Sequence, residues 1–253
     1  TKSTPAELFT WKINETGAVL CGFRGDKKHA EIVIPTEVDG RPVVAIGEET
    51  CFNCGYLKSI VLPETLQTIG DNAFSLCNSL TSIELPEKLK TIGSHAFWGC
   101  ASLTSVKLPK GLQRLDYRAF AQCESLTSVE FPKELRMIET RAFQDCQSLA
   151  SLSVADGNAA YKSVDGVLFS KDGKTLILYP RGRKNKTYRI PQGVKTVAAY
   201  AFDKCDALTS VEFPEDLQTF AWSAFYACNA LTSFSVAPGN ASYKTVDGVL
   251  FSQ

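Results

Sequence analysis

A cysteine recurs every 23 residues in this chain, at Cys54, Cys77, Cys100, Cys123 and Cys146, and again at Cys205 and Cys228. Leucine keeps the same step, at Leu57, Leu80, Leu103, Leu126 and Leu149, and resumes at Leu208 and Leu231. A fixed period of this length constrains the fold more than any other feature. Each unit is one supersecondary coil that cannot bury its apolar face alone, so successive units must stack.

One clean unit, LTSIELPEKLKTIGSHAFWGCAS (80–102), shows how a coil is built. Ile83 and Leu85 alternate with Ser82 and Glu84, the period of a half-buried strand. Pro86 has no backbone donor and ends it. LKTIG returns Leu89 and Ile92 to the interior as a second short extended piece, and Gly93 allows a bend. Ala96, Phe97 and Cys100 carry the spacing of a single helical turn with one face on the core. Stacked at about 4.8 Å, the spacing of adjacent strands, coils of this kind set Ile over Ile, Phe over Phe and Cys over Cys.

Two regions break the rhythm. The step from Leu149 to Leu208 exceeds one period by 36 residues. Within the excess, VLFS and TLILY flank KDGK, which predicts a hairpin turning at Asp172 and Gly173, an insertion at about 156–187. Its opening, VADGNAAYKSVDGVLFS (154–170), recurs as VAPGNASYKTVDGVLFS (236–252). The second copy reaches Gln253 where its turn should begin, so a truncated hairpin is expected at about 238–253, with the array continued in a longer parent or the last coil frayed. Residues 1–31 lie outside the period. FTWKIN and AVLCGF around ETG predict a further hairpin, an N-terminal β cap on the open end of a repeat domain spanning 32–253.

The unit LxxIxLPxxLxxIGxxAFxxCxxL resembles the BspA-like, or treponemal-type, leucine-rich repeats found mainly on surface proteins of bacteria and some protozoa. The likeness runs from residue 32 to 253 and includes the DGVLFSKDGKTLILYP hairpin. It implies a right-handed curved solenoid, secretion or surface display, and adhesion or other protein binding, with no family active site to transfer. The fold expected is therefore a β-rich α/β leucine-rich-repeat solenoid of 23-residue coils, each with short strands and a single helical turn, plus hairpin insertions.

Composition narrows the function. With 27 basic and 27 acidic residues the charges cancel, which disfavours nucleic acid and anionic membranes as partners. There is no apolar run long enough for a transmembrane segment and no secretory leader; removal of a leader would fit a chain that begins at Thr1. Seven of the nine cysteines share one repeat column, which marks them as a ladder of small buried apolar thiols, reduced, and neither a disulfide scaffold nor a metal site. CFNC (51–54) matches a redox CxxC in spacing but interrupts a repeat and lacks the βαβ setting of such motifs; Cys51 stands in the phenylalanine column. The two histidines, His29 and His95, cannot assemble a nucleophile and base or a metal site with the carboxylates available, so neither catalysis nor a cofactor is expected.

Candidate contact residues remain. The outward strand positions carry a serine column that includes Ser82, beside Glu84, Lys107 and Glu130, whose alternating charges either meet a partner or pair across coils to stabilise the sheet. Trp98 and Tyr226 stand where other coils carry Ser75, Ala121, Gln144 and Asp203. Trp222 takes the column of Asp71, Ser94 and Ala199, with Tyr200 beside it. Such aromatics either face a partner or pack on neighbouring coils. Arg24, Gly25 and Asp26 form an adhesion tripeptide that would equally suit any turn, and RGRKNK (181–186) is the one basic cluster. Asn14, Asn185 and Asn240 begin glycosylation sequons. The function expected is a non-catalytic, extracellular or cell-surface adhesion module, monomeric, for a host or matrix protein or a glycan. The competing expectation is a stalk that spaces another domain from the cell and binds nothing.

Overall fold

The computed structural model describes residues 4–253, which divide into two compact units. The first holds the residues up to Gln147 together with Ala155–Asn158; the second holds Ser148–Val154 and Ala159–Gln253.

In the first unit each coil contributes two short strands. Arg41–Ile46, Thr68–Ile69, Thr91–Ile92, Arg114–Leu115 and Met137–Ile138 form one parallel ladder. Glu31–Val33 pairs with Ser59–Val61, and Ser82–Glu84 with Ser105–Lys107, along another side. In-register pairing at a spacing of 23 puts Ile46, Ile69, Ile92 and Leu115 in one buried file. An antiparallel hairpin, Phe9–Asn14 with Gly17–Phe23, leads into the parallel ladder, Gly17–Phe23 pairing with Arg41–Ile46. Phe74, Phe97, Phe120 and Phe143 stack with centroids 5.3, 4.9 and 5.6 Å apart. Full burial of each such ring is worth roughly 1.5–3 kcal/mol.

The second unit repeats this plan with variations. Tyr161–Val164, Val167–Ser170 and Thr175–Leu178 form an antiparallel meander, which continues in parallel through Thr196–Val197 and Thr219–Phe220. Thr187–Arg189, Ser210–Phe213 and Ser233–Val236 make a second sheet, and Tyr243–Val246 pairs with Val249–Ser252. Here Tyr179 opens the aromatic stack, 5.1 Å from Phe202, which lies 4.8 Å from Phe225.

The solenoid of 23-residue coils is present, but its coils are not α/β. Among the described residues the helix content is one three-residue 3-10 turn, Ala6–Leu8. The segment expected as a helical turn is a chain of turns, because left-handed residues interrupt its backbone. His95 (φ +56°) and Gly99 (φ +71°) are left-handed, and Asn72, Arg118 and Arg141 repeat the His95 conformation. Alternate amides then leave the coil: those of His95, Phe97 and Gly99 donate to the carbonyls of Tyr117, Ala119 and Ala121, while those of Ala96, Trp98 and Cys100 close local turns on Gly93, His95 and Phe97. A helix would keep all of them to itself. The spacing of Ala96, Phe97 and Cys100 reports which residues point inward, and two kinds of backbone satisfy it.

Candidate binding surface

The outward residues of three successive strands line a recess of about 840 Å³ in the first unit. Ser59, Ser82 and Ser105 supply hydroxyls, and Val61, Glu84 and Lys107 form the column beside them. Glu64 and Glu87, from the loops that leave the strands at Pro63 and Pro86, line it as well, as does Pro109. The strand period explains the arrangement: Ile60, Ile83 and Val106 turn inward and are buried, so their neighbours must face solvent. Register fixes the charges, with Ser82 opposite Ser105 and Glu84 opposite Lys107. No ion pair within 4.0 Å joins Glu84 to Lys107, so both side chains stay solvated. Glu130, exposed on Ser128–Phe131, continues the column outside the recess.

The four aromatic candidates are shared between the two units. Trp98 is half-buried in the first unit, edge-on to His95 at 6.5 Å, and His95 in turn meets Tyr117 at 5.4 Å. Burial, with the Arg118 charge nearby, holds the His95 imidazole below its usual range. In the second unit Tyr200 and Tyr226 pack edge to face at 6.0 Å. Trp222 is 88% exposed, the most open large apolar side chain described.

Comparison with known proteins agrees with this architecture. The sequence model of the BspA type leucine rich repeat region matches in six copies, over residues 44–171 and 181–253. The chain belongs to this family. The T. pallidum leucine rich repeat protein is 28% identical, with a TM-score of 0.64 over 91% of either chain. A leucine rich cell surface protein from Faecalibacterium prausnitzii is 24% identical, with a TM-score of 0.64 over 93% of this chain and 76% of that one. The pneumococcal vaccine antigen PcpA is also 24% identical, with a TM-score of 0.74 over 94% and 72%. These last two establish likeness of fold. No curated protein matches the chain.

Within the BspA type framework the remaining motifs take structural work. In the tripeptide, the Arg24 amide donates to the Leu8 carbonyl, and the Gly25 carbonyl accepts from the Tyr56 hydroxyl at 2.5 Å. The Asp26 carboxylate accepts the Lys28 amide at 2.9 Å and meets His29 Nδ1 at 2.9 Å. That backbone amide and the His29 contact hold Asp26 below the usual carboxylate range, in a closed local turn. In the basic cluster Arg181 pairs with Asp206 at 2.9 Å, and Arg183 lies over the Tyr179 ring while donating to the Asp165 carbonyl. Lys184 and Lys186 stay exposed. The Asn240 sequon is sealed: its amide donates to the carbonyls of Pro214 and Leu217, and the residue is 4% exposed.

Glu64, Glu87 and Tyr117 were not among the sequence candidates. A signal for the first two was present in the charged residue that follows each strand-ending proline at the 23-residue step, and Tyr117 lies in the same column as Trp222. Among the described residues no three His, Cys, Asp or Glu side chains converge as metal ligands, and no helix is long and apolar enough to cross a membrane.

Proposed function

We propose that this BspA type chain is a non-catalytic binding module, displayed outside the cell, that holds a segment of a host or matrix protein in the recess of its first unit. One observation carries the reading: an open recess lined by outward strand residues that offer hydroxyls, carboxylates and one lysine, with Glu84 and Lys107 in register. A surface of this kind recognises a partner through complementary hydrogen bonds and charge more than through apolar area. Surface display is consistent with the relative from Faecalibacterium prausnitzii, whose name is that of a cell surface protein. Trp222, Tyr226 and Tyr200 would offer a separate aromatic contact, for protein or glycan.

The stalk reading is favoured by a different observation. In the second unit the same strand column pairs with itself, Arg189 to Glu212 at 2.8 Å, and so spends its charge on the sheet. The two readings part on binding to immobilised matrix proteins, serum proteins and glycans by the wild-type chain and by Glu84→Lys, Lys107→Glu, Trp222→Ala and Asp26→Ala. The adhesion reading expects saturable binding to a protein, weakened about tenfold by either charge reversal, which is about 1.4 kcal/mol, and unchanged by Asp26→Ala. Absence of saturable binding throughout, or binding indifferent to Glu84 and Lys107, would overturn the assignment to the recess.

A further inference from the structure

The cysteine column holds its thiols in one way from Cys77 to Cys146, and its first member departs from it. Cys77, Cys100, Cys123, Cys146, Cys205 and Cys228 each donate a thiol hydrogen to the carbonyl 26 residues earlier, those of Cys51, Phe74, Phe97, Phe120, Tyr179 and Phe202. Each thiol is thus held by the preceding coil. For Cys54 the corresponding residue is Lys28, which lies in an irregular turn before the regular coils, and the thiol-to-carbonyl bonds of the column begin only at Cys77. Cys51 and Cys54 instead sit at the two ends of one turn.

Their proximity follows from the coil. In the next coils this pair of positions is occupied by Phe74 and Cys77, then Phe97 and Cys100, all fully buried and facing the same core. In the first coil a cysteine replaces the phenylalanine, and Phe52, one position on, is 46% exposed. The Cys54 amide donates to the Cys51 carbonyl at 3.2 Å, closing a four-residue turn. Such a turn brings its end Cα atoms within about 7 Å, and a disulfide spans about 4.4–6.8 Å. Cys54 also keeps 8% exposure, where Cys77, Cys100, Cys123 and Cys146 have none.

We propose that Cys51 and Cys54 are a thiol–disulfide pair, oxidised by low-molecular-weight disulfides while the column from Cys77 to Cys146 stays reduced. The two neighbouring thiols act on each other, the Cys51 thiol lowering the Cys54 pKa to about 7 while Cys54 and burial raise that of Cys51, so Cys54 is the attacking group. The Cys54 thiolate attacks one sulfur of the small disulfide, whose S–S bond breaks, and the departing thiolate takes up a proton. Cys51 then gives up its proton and attacks Cys54 Sγ, expelling the second small thiol. Two protein thiols lose two electrons and two protons, and one small disulfide becomes two thiols.

The test equilibrates the full chain in glutathione buffers from reducing to oxidising, quenches in acid, alkylates, and maps every cysteine by mass spectrometry. The expected result is a 51–54 peptide that lacks two hydrogens and resists alkylation in oxidising buffer and is restored in reducing buffer, with Cys77, Cys100, Cys123 and Cys146 free throughout. Cys51→Phe, which restores the residue of the neighbouring coils, and Cys51→Ala should instead trap glutathione on Cys54. Alkylation of both residues in every buffer would overturn the proposal, as would oxidation of Cys77 or absence of the trapped adduct in both variants.

Discussion

The second unit contains two copies of one sentence of sequence, YKSVDGVLFS at 161–170 and YKTVDGVLFS at 243–252, in very different surroundings. Each folds as the same antiparallel hairpin through an Asp-Gly turn, with Asp165 and Gly166 at φ +49° and +77° and Asp247 and Gly248 at +50° and +79°. Each also receives an amide from the preceding strand, from Leu152 to the Gly166 carbonyl and from Phe234 to that of Gly248. The burial nevertheless diverges. Val167 and Phe169 are 0% and 1% exposed, whereas Val249 and Phe251 are 56% and 46% exposed. The first copy is paired on its far side by Thr175–Leu178, with Leu176 and Tyr179 closing over it; the second meets no such strand among the described residues. Local sequence chooses the hairpin, and the next strand decides whether it becomes core.

Truncating the equivalent ring in each hairpin separates the two most strongly. Phe169→Ala should cost about 3–5 kcal/mol of unfolding free energy and Phe251→Ala less than about 1 kcal/mol, by denaturant titration. Equal losses would show that the second hairpin is covered in solution. A pair of equal effects sharpens the same point. Asn158 and Asn240 are duplicates, 1% and 4% exposed, each donating twice, to Pro132 and Leu135 and to Pro214 and Leu217. Asn158→Ala and Asn240→Ala should each cost about 1–3 kcal/mol by removing the donor to the Leu135 or Leu217 carbonyl, while the proline carbonyls keep the leucine amides. The smallest effect concerns the charged strand column. A double-mutant cycle on Arg189 and Glu212, their side chains 77% and 38% exposed, should give a coupling of at most about 1 kcal/mol that fades in high salt. The same cycle on Glu84 and Lys107 should give a coupling near zero.

Much of this was legible because a fixed period is a statement about contacts. Residues 23 apart must stack, so Ile over Ile, Phe97 over Phe120 and the cysteine column followed from spacing, as did the strand at Ser82–Glu84 and the hairpin at Asp172 and Gly173. The Asp-Gly turn at 165–166, signalled by YKSV and VLFS on its two sides, was overlooked beside it. The helical turn misled for a physical reason: periodicity encodes which side chains face inward but not the hand of φ at His95 and Gly99. The candidate surface was half legible. The register of Glu84 and Lys107 is written in the repeat, but the recess also needs Glu64 and Glu87 to reach it from their loops.

Spacing and side-chain polarity along the chain specified the repeat, the inward-facing columns and the pairing register. Folding in three dimensions settled where amides cross between coils and why the Cys54 thiol lacks the carbonyl that holds the rest of its column. Each of those outcomes depends on what the adjoining coil presents, and a residue's own sequence neighbourhood carries no record of that.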